Sequence, residues 1–99
     1  MLRKFVIERE VPGIGNNSAE GFCAVASTSN GALNQLGTGI QWVHSYVTAN
    51  KTFCIYLAES EELIREHARI SGFPANRITE VVTIIDPTTE RKEAISRVA

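Results

Sequence analysis

Two runs of strand-forming residues, Ile40 to Thr48 and Thr52 to Ala58, stand only a short Ala49-Asn50 turn apart. A parallel pair needs a crossover of about a dozen residues or more, so these runs are joined as an antiparallel hairpin. The rest of the chain is arranged around that hairpin, with a strand and a helix before it and a helix and a strand after it.

Before the hairpin, Lys4 to Glu10 alternates Phe5 and Ile7 against Val6, Glu8 and Glu10, which predicts a strand. Val11-Pro-Gly-Ile-Gly-Asn-Asn17 ends it in a loop. Asn17 with Glu20 resembles a capping box, so a helix is expected from Ser18 to Leu36. Phe22, Val25, Ala26, Leu33 and Leu36 share one face of it, although Gly21, Asn30 and Gly31 weaken it locally. Gly37-Thr-Gly39 is a left-handed stop. After the hairpin, Ser60 is an N-cap with Glu61 and Glu62 in the positive first turn. Leu63, Ile64, His67, Ala68 and Ser71 share a face, Glu61 pairs with Arg65, and Gly72-Phe-Pro74 ends this second helix. Ile78 to Ile85 is the last expected strand, closed by Asp86-Pro87. The polar tail from Thr88 to Ala99 reads as a short helix, an arm onto a partner, or disorder.

Strand, helix, strand, strand, helix, strand is the order of the ferredoxin-like plait, an α+β fold with both helices on one face of a four-stranded antiparallel sheet. A single domain spans 1–99. The other sheet face is left bare, and a large bare apolar face is seldom tolerated unless something binds it. Sheet-to-sheet homodimerisation is the expected remedy.

Bulk composition removes several function classes. Ten basic residues against eleven acidic ones leave no basic footprint, which argues against nucleic acid. No stretch approaches a membrane span, and the apolar run before Glu8 is too short for a signal peptide, so a cytoplasmic protein is expected. Cys23 and Cys54 form no CxxC pair and are expected to be reduced.

Strict alternation along Ile40-Gln-Trp-Val-His-Ser-Tyr-Val47 would put Trp42, His44 and Tyr46 on one face and Val43, Ser45 and Val47 on the other, core-like one. With Val43, Val47, Phe53, Ile55 and Leu57 meeting the helices, the bare face would carry Trp42, His44, Tyr46, Cys54 and Tyr56. Glu8 and Glu80 would reach the same face from the first and last strands. His44, Glu8 and Glu80 are therefore candidate metal ligands, since neutral imidazole with carboxylates suits nickel, zinc, copper or iron. The competing reading makes the two glutamates an interface rim and His44 a hydrogen-bonded core residue. Trp42, Tyr46, Cys54, Tyr56 and His67 are candidate ligand-binding residues, although aromatics filling a dimer core need no ligand, and His67 also reads as a satisfied histidine at the helix–sheet boundary.

Two motifs fail on inspection. Gly13-Ile-Gly-Asn-Asn-Ser18 lies between strand and helix, yet it ends in Ser and lacks the acidic residue a dinucleotide site requires. His44 and Ser45 are expected on opposite faces of a strand and cannot form a nucleophile–base pair.

Val6-Ile-Glu-Arg-Glu-Val-Pro-Gly13, Gln41-Trp-Val-His-Ser-Tyr-Val47, Glu66-His-Ala68 with Gly72-Phe-Pro74, and Val81 to Pro87 together resemble a bacterial and archaeal family of small proteins of unknown function. Its members are similar to a nickel-binding protein of actinomycetes. The resemblance covers roughly Phe5 to Pro87 and implies a ferredoxin-like plait, a homodimer and binding of a divalent transition metal such as nickel.

Three functions follow as expectations. The first is a metal-binding homodimer using His44 with nearby carboxylates, without established catalysis. The second is an enzyme of the dimeric α/β-barrel type, taking a small molecule between sheet and helices with His44 or His67 as base. The third is a dimer module whose aromatic face serves assembly alone. A roomy pocket without clustered carboxylates would favour the second.

Overall fold

The computed structural model describes residues 1–91. Strand β1 (Arg3–Glu10) is followed by a single 3-10 turn at Ile14–Asn16 and helix α1 (Ala19–Leu36). The hairpin is β2 (Ile40–Val47) and β3 (Lys51–Ala58); helix α2 (Glu61–Ser71), strand β4 (Arg77–Glu80) and a 3-10 turn at Pro87–Glu90 complete the order. The sheet order is β2-β3-β1-β4, and each neighbouring pair is antiparallel. The chain is thus an α+β fold of two helices and a four-stranded antiparallel sheet. Among the described residues no helix is long and apolar enough to cross a membrane.

Local chemistry sets the helix ends. Ser18 caps α1 by accepting from the Gly21 amide at 3.0 Å, and Gly37, at φ +84°, stops it in a conformation that disfavours a side chain. Ser60 caps α2, Arg65 reaches Glu61 one turn back at 2.6 Å, and Gly72 ends it at φ +81°.

Residues directly opposite in adjacent strands share a face, so the ladder registers fix which side each faces. Phe5 pairs with Tyr56 and Ile7 with Cys54, and all four are buried, packed with Ile64 of α2 and bordered by Leu33 and Leu36 of α1. This is the helix-covered face. Burial of Phe5, Ile7 and Ile64 contributes about 1.5–3 kcal/mol each.

Three expectations are corrected by these registers. Phe53, Ile55 and Leu57 lie on the bare face, while Cys54 and Tyr56 lie under the helices. The run Phe53-Cys-Ile-Tyr-Leu57 is apolar at both parities, so alternation alone does not choose an inner face; the match to Phe5 and Ile7 does. Second, β2 does not alternate strictly. A bulge interrupts it between Trp42 and His44, and Val43, expected in the core, is 47% exposed. One extra residue reverses the parity of everything beyond it. Third, β4 stops at Glu80 rather than Ile85. Glu80 pairs with Phe5 and the Val81 amide still donates to the Lys4 carbonyl, but the antiparallel register then runs off the start of β1 and no ladder remains. Residues 92–99, most of the expected tail, lie outside the described residues.

Candidate functional site

The facing layers are filled unevenly. At one end, Phe5, Ile40, Ala58 and Ile64 close the core. At the other, α1 presents Ala26 and Ser29 while the sheet presents Ser45, Thr52 and Cys54, and small residues on both sides leave a cavity of about 340 Å³. That volume falls in the range of small-molecule sites. Its apolar wall is formed by Phe22, Val25, Trp42, Cys54, Tyr56 and Phe73.

The bulge builds one side of this cavity. Without it Trp42 would share a face with His44 and Tyr46; with it Trp42 turns inward and stacks on Tyr56, centroids 6.4 Å apart and planes 17° apart. Its indole Nε1 donates to Ser45 Oγ at 3.0 Å. His44 and Tyr46 stay outside, where the imidazole Nε2 lies 3.2 Å from the Tyr46 hydroxyl.

A buried polar chain backs the cavity. The Tyr56 hydroxyl and Ser29 Oγ are 3.1 Å apart, and Ser29 Oγ is 3.1 Å from His67 Nε2. His67 Nε2 is also 3.3 Å from the Ser29 carbonyl, which can only accept, so that nitrogen carries the proton. His67 is fully buried, and desolvation first, then the charge of Arg9, hold it below its ordinary pKa despite the Ser29 bond. It is a neutral ring that orients Ser29. Burial likewise raises the Tyr56 phenol, so it stays protonated and can donate.

Arg9 completes the group and was absent from the sequence-based candidates. It is only 3% exposed, it lines the cavity, and its Nη1 donates to the Pro74 carbonyl at 2.7 Å. Its Nη2 is buried without a partner. The guanidinium carbon lies 6.0 Å from the Tyr56 ring centre and 5.9 Å from that of Phe73, at the outer reach of a cation–π contact. The signal for it was present in the sequence: Arg9 has the same strand parity as Phe5 and Ile7, and a charge on a core face is an anomaly.

The three expected metal ligands do not converge. His44 pairs with Ile55 on the bare face. Glu8 is on that face too, but on β1, with β3 between, and strands about 4.8 Å apart place it roughly 10 Å away across the sheet. Its carboxylate is held by Lys51 at 3.6 Å and Arg77 at 4.0 Å. Glu80 faces the helix side, opposite Phe5, and pairs with Arg3 at 3.7 Å. Its parity follows Ile78, which packs on the core. Among the described residues no three His, Cys, Asp or Glu side chains are grouped to hold a metal ion. The donors among the described residues of one chain therefore do not form a nickel site.

Of the other candidates, Trp42, Cys54 and Tyr56 come together at the cavity, His67 stands behind it, and Tyr46 is outside, 60% exposed. Ser45 and His44 point to opposite faces, as alternation required. Cys23 is exposed, Cys54 is buried, and both are free.

No curated protein matches this sequence. The crystal structure of SCO4226 from Streptomyces coelicolor A3(2) superposes with a TM-score of 0.70 over 83% of this chain and 99% of that one, at 13% identity, a likeness of fold. Residues 5–81 match the family model described as nickel responsive protein SCO4226-like. That match covers most of the chain, which therefore belongs to the SCO4226-like family of nickel responsive proteins.

Proposed function

We propose that this protein binds a small, largely apolar molecule in the cavity between the sheet and α1, within a ferredoxin-like plait that pairs with a second copy through the bare sheet face. The observation that carries the reading is the cavity itself, about 340 Å³, apolar in its walls and backed by Tyr56, Ser29 and Arg9. Few convergent polar groups on an apolar wall are the usual composition of a ligand site. Among the described residues no clustered carboxylates accompany it, which favours this reading over a metal centre built from those residues. Pairing is supported by the bare face, where Tyr46 and Val43 are exposed and the segment beyond β4 leaves Val82 96% and Ile84 66% exposed.

A titration with benzyl alcohol, followed by amide chemical shifts, tests the cavity. Shifts are expected at Phe22, Val25, Trp42 and Cys54, and Ala26→Phe, which fills the cavity from α1, should remove them. Shifts confined to the outer face, or undiminished in Ala26→Phe, would overturn the reading.

A second reading is supported by the family's description as nickel responsive and by the exposed imidazole of His44. It has nickel held at His44, with the remaining donors coming from a second copy across the bare face. Native mass spectrometry with added nickel tests it: metal should appear on the dimer and be absent from the monomer.

A further inference from the structure

The cavity contains a charge without a counter-charge. Arg9 is buried at 3% exposure, and among the described residues no carboxylate lies within ion-pair distance of it. One of its terminal nitrogens is satisfied by a neutral carbonyl and the other by nothing. Burying a guanidinium in this state is costly, and proteins normally supply an anion. The two rings flanking it offset only part of the cost, being at the limit of cation–π range.

We propose that the missing anion belongs to the ligand, and that the cavity takes a small aromatic monocarboxylate whose carboxylate pairs with Arg9 while its ring lies against the apolar wall. This deepens the cavity reading above and rests on it. The donors decide the head group. Arg9 Nη2, which has no partner, and the one hydroxyl proton that the Tyr56–Ser29 bond leaves free suit the two oxygens of a carboxylate, and Arg is the side chain best matched to that geometry. A phosphate monoester would bring three oxygens and close to two charges against one guanidinium, more than this set satisfies. The wall decides the body: Phe22, Trp42 and Phe73 offer ring surfaces, and a planar ring with one short arm is compatible with about 340 Å³.

Phenylacetate and its neutral isostere phenylacetamide separate charge from shape. Both are titrated into the whole protein, with emission from Trp42, the chain's single tryptophan, as the readout. Phenylacetate is expected to bind about tenfold or more tightly than the amide. Arg9→Gln should bring phenylacetate down to the level of the amide, and Arg9→Lys should retain part of the preference. Equal affinities in the wild type overturn the anion inference and leave the cavity reading standing, and the comparison needs no variant that has to fold. Phenylacetate binding unchanged in Arg9→Gln overturns it as well, since the anion then sits elsewhere. If benzyl alcohol binds and neither phenyl acid nor amide does, the inference falls alone; if none of the three binds, both readings fall.

Discussion

The indole Nε1 of Trp42 reaches the hydroxyl of Ser45 across the bulge, at 3.0 Å, three residues apart in sequence. An uninterrupted strand puts positions three apart on opposite faces, so this bond exists only because Val43 is left out of the ladder. The bond supplies a partner for a half-buried donor and holds the ring against Tyr56. Ser45→Ala should cost about 1 kcal/mol in urea denaturation, and much less in a Trp42→Phe background, which has no donor to strand. Equal losses in the two backgrounds would detach the bond from the bulge.

His67 should make stability depend on pH. Its folded pKa lies below the ordinary 6.5 because burial and the nearby Arg9 disfavour the charged ring. The unfolded chain therefore binds a proton first as pH falls, and stability is full above about 6.5 and lost progressively below it, by up to about 1.4 kcal/mol per pH unit. Denaturation midpoints of wild type and His67→Gln, measured from pH 8 to pH 5, check the sign. The wild type should lose more stability than the variant over that window; parallel profiles would show that His67 is not the group responsible.

Assembly is tested at Ile55, on the bare face opposite both Val6 and His44. Ile55→Asp places a charge where a second sheet would pack and leaves the buried set, Phe5, Ile7 and Tyr56, untouched. Wild type is expected to sediment as a dimer with an interface of about 1,200 Å² or more, and the variant as a folded monomer. A wild type that is monomeric at high concentration would refute the assembly.

The elements were legible in the sequence because each had its own local signal: Asn17 with Glu20 at the first helix start, where the cap is in fact Ser18, Ser60 at the second, Gly37 and Gly72 at stops, a turn too short for anything but a hairpin. The faces were harder to read. Parity along β1 was unambiguous, since Glu8 and Glu10 alternate with Phe5 and Ile7, and it also marked Arg9 as a charge in the wrong place. Parity along β3 was undetermined by composition, and β2 contains a bulge for which Val43 gives no local signal, being a good strand residue at either parity. Of the expected metal triad, His44 and Glu8 do share the bare face, on strands separated by β3, and Glu80 lies on the other face, set by Ile78 pairing with Ile7. Long-range register, which single-strand periodicity does not encode, separated the three.

If the family's nickel response involves direct binding by this chain, the reading with His44 and donors from a second copy is the one to test, because among the described residues Glu8 is paired with Lys51 and Arg77 and Glu80 lies exposed on the helix side of the sheet, paired with Arg3. Calorimetric titration with nickel should then be abolished by His44→Ala and by the monomerising Ile55→Asp, and unaffected by Glu80→Ala. The His44 substitution lies on the bare face, away from Trp42 and Ser45, so phenylacetate binding in the cavity should survive it. Nickel affinity retained in His44→Ala would place the metal at other residues, and affinity lost in Glu80→Ala would contradict the register of β4 on which the separation rests.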